Sequence, residues 1–123
     1  MYTEEDDMAV NKKELFEDRL REIAEQAKAL AHPARLAILK ALAAESTCIC
    51  GEIVEQVPLA QSTVSQHLKE LKRVGFIKGE VDGPRSCYCL DSAKLQRFQH
   101  QMNRWFDDLQ EVARRACCGK DSS

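Results

Sequence analysis

The segment at residues 61–75, QSTVSQHLKELKRVG, constrains the fold of this chain more than any other. Val64, Leu68 and Leu71 recur at i, i+4 and i+7, so they form one apolar stripe along a helix. Such a stripe requires a hydrophobic core on which the helix packs. The remaining faces of the helix are then left for solvent or for a ligand.

The two ends of this helix carry residues that commonly begin and end helices. Thr63 followed by Gln66 fits a capping box, in which each side chain satisfies a backbone N–H of the first turn. Gly75 readily adopts the left-handed conformation that ends many helices. We therefore expect a helix over residues 62–74.

The face opposite the apolar stripe is polar and basic. At about 100° per residue, this face and its flanks consist of Ser62, Thr63, Ser65, Gln66, Lys69 and Arg73. Hydroxyl, amide and cationic groups read base edges and bind phosphates in a DNA major groove. An ordinary solvated face is the alternative, and this helix by itself does not decide between the two.

The residues before this helix predict three further helices. The first carries apolar residues from Phe16 to Leu30 and ends before Pro33, which suits the first turn of the next helix. This second helix presents a wide apolar face, formed by Leu36, Ile38, Leu39, Leu42 and Ala43. A third, short helix is predicted at residues 52–57.

A hairpin and a long helix are predicted after residue 75. Residues 76–81 and 85–90 flank a turn sequence, and the last helix begins near Ser92 with an apolar stripe that continues to Ala116. The order ααααββα, mainly helical with a small β-hairpin, predicts a winged helix-turn-helix. The apolar stripes of the first and last helices are expected to meet a second copy of the chain in a homodimer.

A chain of 123 residues suits one domain, at residues 11–116, between an acidic tail at residues 1–10 and a cysteine-containing tail at residues 117–123. The acidic N-terminus does not resemble a signal peptide and no run approaches a membrane span, so we expect a cytoplasmic protein without a membrane partner. The net charge of −2 does not indicate a nucleic-acid binder. Residues 61–90 are nevertheless basic, with five Lys/Arg against three Asp/Glu.

Two segments resemble a known family. ALAHPARLAIL at residues 29–39 and QSTVSQHLKEL at residues 61–71 resemble the second-helix entry and the recognition helix of the ArsR/SmtB family of bacterial metal-responsive repressors. The resemblance covers roughly residues 15–110. It implies a homodimer that represses its own operon and leaves double-stranded operator DNA when a metal ion, a metalloid or an oxidant reaches its thiols.

The resemblance also implies which side chains contact DNA. Together with Arg73 from the basic face, the set is Ser62, Thr63, Ser65, Gln66, His67, Lys69, Arg73, Lys78 and Arg85. His67 lies nearer the apolar stripe than the exposed face, which favours packing or phosphate anchoring over base reading. Lys78 and Arg85 are expected to contact the DNA backbone or the minor groove from the wing.

The six cysteines, in a chain without an export signal, are expected to be reduced thiols. Cys48 and Cys50 match the CxC with which arsenic-responsive members of the family bind As(III), but Ile53 stands where the third cysteine is expected. The family's zinc site on the last helix needs paired carboxylate and histidine ligands. That site is not expected here, because Arg114 stands at a partner position of His100.

The missing sulfur is expected from a second CxC pair in the hairpin. If the segment that holds the first pair is a short strand beside the second wing strand, Ile49 and Tyr88 face the core. The outer face then carries four thiols, from Cys48, Cys50, Cys87 and Cys89. A sulfur site of this kind suits soft ions such as As(III), Cd(II), Zn(II) or Cu(I) as effectors.

Other interpretations remain open at this point. The cysteines are small buried residues in the simplest alternative, and the vicinal pair Cys117 and Cys118 is either a further thiolate source or a reactive tail. The same DNA-binding scaffold is also compatible with a thiol redox or sulfide sensor. A thiol enzyme is not expected, because the chain has no CxxC and no recognisable nucleophile–base set. A winged helix that binds protein is disfavoured by the hydroxyl-and-amide face.

Overall fold

The computed structural model describes residues 16–45, 48–50, 58–81 and 86–121, without the side chains of Cys50 and of residues 118–121. It has four helices and three strands in these ranges: α1 (Asp18–Ala29), α2 (Pro33–Ala43), β1 (Ile49–Cys50), α3 (Gln61–Arg73), β2 (Ile77–Glu80), β3 (Cys87–Leu90) and α4 (Ser92–Asp121). The order confirms the predicted winged helix-turn-helix. The acidic tail, the short helix predicted at residues 52–57 and the tip of the hairpin lie outside the described residues.

The three strands form one antiparallel sheet in the order β1-β3-β2. Tyr88 at the centre of β3 lies opposite Ile49 of β1 and Gly79 of β2, and its side chain is buried. The predicted pairing of the CxC segment with the second wing strand is therefore confirmed. Gly79 has a φ of +108°, and a Cβ there would overlap the carbonyl oxygen of Cys87, so only glycine fits this position of the wing.

The core of the unit formed by residues 1–91 lies between α2, α3 and the sheet. The predicted apolar stripe of α3 is buried as expected. The residues that are fully or almost fully buried in this core are Ile38, Leu42, Val64, Leu68, Leu71, Phe76, Ile77 and Tyr88. Full burial of a side chain of this size stabilises a fold by roughly 1.5–3 kcal/mol, so this cluster fixes α3 on α2.

Both ends of α3 are defined by backbone hydrogen bonds. The capping-box prediction was wrong, because the helix begins at Gln61 with Ala60 as its N-cap, and the N–H of Val64 already donates to the carbonyl of Ala60 at 3.0 Å. Burial of Val64 thus sets the start of the helix ahead of the residues with capping side chains. The predicted end is confirmed: Gly75 has a φ of +91°, and the N–H groups of Gly75 and Phe76 close a Schellman motif.

Helix α2 begins as the sequence predicts. His32 is its N-cap and accepts a hydrogen bond from the N–H of Ala34 through Nδ1 at 3.0 Å, and Pro33 occupies the first helical position. The predicted apolar face is only partly correct. Ala34, Ile38 and Leu42 form the buried stripe with a spacing of four residues, whereas Leu36 is 53% exposed because it lies on the opposite side of the helix.

The second compact unit, residues 92–123, contains helix α4. The helix has 30 residues and is about 45 Å long at a rise of 1.5 Å per residue. The backbone is helical to Asp121, so α4 continues through most of the segment predicted to be a C-terminal tail. Phe106, Leu109 and Val112 are exposed on this helix. No helix in the described part of the chain is long and apolar enough to cross a membrane.

Candidate nucleic-acid interface and thiol site

The face of α3 opposite the buried stripe is open to solvent. Ser62, Thr63, Gln66 and Lys69 are exposed and Ser65 is half-buried, as the helical spacing predicts. Two hydroxyls, an amide and an ammonium group are therefore displayed along one side of the helix that follows the turn. These groups fit the base edges and phosphates of a major groove.

Arg73 at the end of α3 is held by two carboxylates. Its Nη2 donates to Oε2 of Glu70 at 2.6 Å and to Oε1 of Glu25 on α1 at 3.2 Å. The hydrogen bond from Arg73 holds the pKa of the Glu70 carboxyl below its usual value. Since exposed ion pairs are worth only about 0.2–1 kcal/mol, Arg73 can exchange these carboxylates for a phosphate at small cost.

His67 lies on the core side of α3 and is only 8% exposed. Arg35 of α2 donates Nε–H to Nδ1 of His67 at 3.1 Å, and the ring of His32 lies with its centroid 4.4 Å from that of His67. Burial, followed by the charges of His32 and Arg35, lowers the pKa of His67 below 6.5. Because Nδ1 accepts a hydrogen bond, the neutral ring carries its proton on Nε2.

In the wing, Lys78 is exposed on β2, where its Cα lies opposite that of Cys89. The same register places Glu80 opposite Cys87. Arg85, the other predicted wing contact, lies outside the described residues. Of the two predicted wing cations, the structure describes Lys78, and this residue lies next to β3, the strand that carries Cys87 and Cys89.

The two CxC pairs meet across β1 and β3. Cys48 and Cys89 are joined by a disulfide with their Cα atoms 4.4 Å apart, and Cys50 lies opposite Cys87 in the register. A Cα separation of about 4.5 Å is that of a non-hydrogen-bonded antiparallel pair, in which facing side chains are closest. Cys50 and Cys87 lie two positions further along the register, with the pair of Ile49 and Tyr88 between.

The sulfurs of this surface are chemically accessible but not arranged around an ion. Cys48 is exposed, Cys87 and Cys89 are half-buried, and Cys87 is disulfide-bonded too. Across the described residues, no three His, Cys, Asp or Glu side chains are grouped for metal binding. Reduction of the disulfide between Cys48 and Cys89 would give two thiols opposite each other, and Cys50 and Cys87 are opposed two register positions away. Cys117 is exposed on α4, and the side chain of Cys118 is not described.

Comparison with known proteins agrees with this architecture. A helix-turn-helix domain family matches residues 30–80. The chain is 38% identical over 72 residues to an HTH-type transcriptional regulator of Methanocaldococcus jannaschii, which covers 58% of this chain and 80% of that protein. It is 41% identical over 63 residues to the HTH-type transcriptional repressor SmtB of Mycobacterium tuberculosis. This match covers 51% of this chain and 46% of SmtB.

A cadmium resistance transcriptional regulatory protein, a CadC homolog of Staphylococcus aureus, is 29% identical over 106 residues, 81% of this chain and 87% of that protein. The chain belongs to the ArsR/SmtB family of transcriptional regulators. An ArsR-like transcriptional regulator from Rhodococcus sp. RHA1 shares the fold, with a TM-score of 0.66 and 18% identity over 83% of this chain and 95% of that chain. As an ArsR/SmtB protein, the chain is a DNA-binding regulator of the type that represses transcription.

One residue of this ArsR/SmtB protein that the sequence analysis did not single out is Arg35. It lies in the first turn of α2, where the helix dipole disfavours a cation. A cation at this unfavourable position was the sequence feature that could have indicated a specific partner for Arg35. The structure shows that its guanidinium instead reaches His67 of α3 and the carbonyls of Lys28 and Ala29 at the end of α1.

Proposed function

We propose that the chain is a homodimeric, sequence-specific repressor. Its affinity for operator DNA is controlled by the thiols on β1 and β3 and next to β1, which are those of Cys48, Cys50, Cys87 and Cys89. The effector is a soft metal or metalloid ion of the As(III), Cd(II) or Zn(II) type. The observation that supports this most is the direct opposition of Cys48 and Cys89, with Cα atoms 4.4 Å apart, beside the register pair of Cys50 and Cys87.

DNA reading is assigned to the exposed face of α3 and to the wing. The side chains at Ser62, Thr63, Gln66 and Lys69 supply donors, acceptors and a positive charge on a helix fixed to the core by its other face. Lys78 adds a cation on the wing strand β2. Phosphate contacts of this kind make affinity fall steeply with salt, whereas base contacts give the sequence preference.

Dimerisation is assigned to α1 and α4. Phe16 is 56% exposed just before α1 and Leu20 is 38% exposed within it, while Leu109 and Val112 are exposed on α4. A second copy of the chain would remove these apolar side chains from water. A two-fold dimer of winged helices presents its recognition helices about 34 Å apart, at the spacing of successive major grooves.

The four cysteines of the sheet fit a soft ion by their chemistry. Thiolates are the preferred ligands of Cd(II), Zn(II) and Cu(I), and trivalent arsenic forms strong bonds to sulfur. When bound, the ion would hold β1 to β3 through sulfur. The strand β3 carries both Cys89 and Cys87, whose neighbours on β2 are Lys78 and Glu80. Strands in a sheet are about 4.8 Å apart, so the bound ion would lie next to the wing residue assigned to the DNA backbone.

Thiol oxidation is a second candidate for the effector, and the disulfide between Cys48 and Cys89 favours it. In this case two thiols lose two protons and two electrons to a peroxide, which is reduced to water or an alcohol, and one S–S bond forms. The two candidates use the same cysteines. They differ in whether operator release requires the thiols to stay reduced.

The test begins with a labelled duplex that the wild-type protein selects from a random library at pH 7.5 under reducing conditions. Fluorescence anisotropy then measures the affinity for this duplex in the presence of As(III), Cd(II) or Zn(II) with reductant, and after treatment with peroxide. Release by an ion with reductant present supports the metal effector, and release by peroxide that reductant reverses supports oxidation. Unchanged affinity under every condition would exclude thiol control of DNA binding. If the protein selects no sequence from the library, specific DNA binding is excluded.

A further inference from the structure

Arg35 connects the three helices that carry and precede the DNA-reading face. From the first turn of α2, its Nε–H donates to His67 Nδ1 at 3.1 Å. Its Nη1 donates to the carbonyl oxygens of Ala29 at 3.3 Å and Lys28 at 3.4 Å, which lie in the last turn of α1. One guanidinium group therefore joins the end of α1, the start of α2 and the middle of α3.

His67 is placed where a change at its ring is transmitted to the reading face. It follows Gln66 directly in the chain, and it lies one turn before Glu70 and about 40° around the helix from the buried Leu71. The hydrogen bond between α2 and α3 thus reaches the same helical turn as the amide expected to read bases. Its acceptor, Nδ1, exists only while the imidazole is neutral.

We propose that Arg35 is a positioning residue for operator recognition, which holds α3 through the neutral ring of His67, and that protonation of His67 releases the operator. The inference rests on the proposed DNA-reading role of α3, but not on the thiol effector. A protonated His67 donates from both ring nitrogens, so Arg35 Nε–H would face another donor. The cationic ring would also face the positive guanidinium group at hydrogen-bond distance.

The charges around His67 favour the neutral ring. On α2 they are Arg35 and the ring of His32, whose own Nδ1 is occupied by the N–H of Ala34. On α3 the carboxylate one turn after His67 is that of Glu70, and it is held by Arg73, which also binds Glu25 of α1. Lys28 of α1 adds a further positive charge near Glu70. Glu70 is thus already compensated by Arg73, by Lys28 and by Arg35 of α2.

Two neutral replacements of His67 test the role of Nδ1. His67→Asn keeps an acceptor near the position of Nδ1 and does not titrate, whereas His67→Gln places its amide near the position of Nε2. We expect wild type to bind the selected duplex at least roughly threefold more weakly at pH 5.5 than at pH 7.5. His67→Asn should change less than twofold between the two pH values, and His67→Gln should bind more weakly than His67→Asn at both. His100→Asn, on α4, is the control and should keep the wild-type pH profile.

A second measurement uses the unmodified protein, so it does not depend on the folding of any variant. NMR of ¹⁵N-labelled histidine reports the tautomer of His67 and its protonation midpoint. We expect the Nε2–H tautomer at pH 7.5 and a protonation midpoint that coincides with the midpoint of DNA release. A wild-type pH profile in His67→Asn, or two midpoints more than one pH unit apart, would overturn the proposal. If wild type selects no duplex at all, the DNA-reading role fails, while the His67 tautomer still reports whether the bond to Arg35 exists.

Discussion

Cys48 and Cys89 lie directly opposite each other across β1 and β3, with their Cα atoms 4.4 Å apart and their sulfurs joined. Cys50 and Cys87 are opposed two positions further along the register, with Ile49 and Tyr88 between the two cysteine pairs. Lys78 lies on the other side of Cys89. A cysteine before the recognition helix is therefore linked to the strand that neighbours the wing cation, although 41 residues separate the two cysteines in sequence.

The disulfide should stabilise the fold. Closing a loop of this length restricts the unfolded chain by about 4 kcal/mol in the chain-entropy relation. We expect Cys48→Ser to unfold at a lower urea concentration than oxidised wild type. Reduced wild type, which also loses the disulfide bond of Cys87, should unfold at a concentration no higher than that of Cys48→Ser. Cys117→Ser removes an exposed thiol on α4 and serves as the matched control. Equal urea midpoints for oxidised and reduced wild type would contradict this expectation.

The wing should depend on glycine at position 79. Gly79→Ala puts a Cβ against the carbonyl oxygen of Cys87 on a backbone with a φ of +108°, so we expect a loss of about 1–3 kcal/mol in the free energy of unfolding. Lys78→Ala, at the preceding and exposed position of β2, is the control and should change stability by less than about 0.5 kcal/mol. Chemical denaturation of both variants measures the difference. A loss for Gly79→Ala no larger than the control's would show that the strand shifts to admit a side chain.

Stability should fall in mild acid because of His67. Its pKa is lowered from the ordinary 6.5 on folding, by burial first and then by the charges of His32 and Arg35. The contribution of the neutral ring is therefore complete above pH 6.5 and is lost as the pH falls below that value through the lowered folded pKa. Urea unfolding at pH 7.5 and pH 5.5 should show a smaller difference for His67→Asn than for wild type. Equal differences would mean that other groups cause the acid sensitivity.

The exposed face of α3 should govern DNA affinity without affecting folding. Gln66→Ala is expected to relax the base preference at one position and to cost about 1–3 kcal/mol of discrimination. Lys69→Ala should weaken binding to all sequences alike and reduce the salt slope by about one. Lys40→Ala removes an exposed cation from α2 and is the control. Anisotropy at several salt concentrations separates the two effects, and a salt slope unchanged in Lys69→Ala would exclude its phosphate contact.

The apolar residues of α1 and α4 should hold the dimer together. Leu20→Glu and Leu109→Glu each place a charge on one of these surfaces and are expected to give monomers in analytical ultracentrifugation. Leu36→Glu changes an exposed leucine on α2 and should leave the oligomeric state unchanged. If wild type is itself a monomer, or if Leu36→Glu alone dissociates it, the assignment of the interface to α1 and α4 fails.

Hydrophobic periodicity, together with the residues that begin and end helices, predicted most of the fold. The stripe of Val64, Leu68 and Leu71, the end of α3 at Gly75 and the start of α2 at Pro33 were all correct, because each depends on local chemistry. The pairing of β1 with β3 was a premise taken from winged helices in general, and alternation then predicted Ile49 and Tyr88 as the inward residues between the cysteines of the two CxC pairs. Patterns of this kind determine which face of an element is buried.

Predictions that depend on packing were less accurate. The start of α3 was placed too late because burial of Val64 outweighed the capping preference of Thr63. Leu36 was assigned to the core on its hydrophobicity, but only the spacing of Ala34, Ile38 and Leu42 fits the surface that α2 covers. Arg35 was missed because its partners are on two other helices, and a sequence read one helix at a time does not bring them together. The metal and DNA roles of the listed side chains stay predictions.

The most direct test of thiol control is the operator affinity of wild type, Cys89→Ser and Cys117→Ser, measured in reductant with and without Cd(II) or As(III), and again after peroxide. We expect the effective reagent to weaken binding by wild type and by Cys117→Ser at least roughly tenfold, whereas Cys89→Ser should keep its affinity. A tenfold change corresponds to about 1.4 kcal/mol of coupling between the thiols and the DNA. If Cys89→Ser releases the operator as strongly as wild type does, the thiols opposed across β1 and β3 do not control DNA binding.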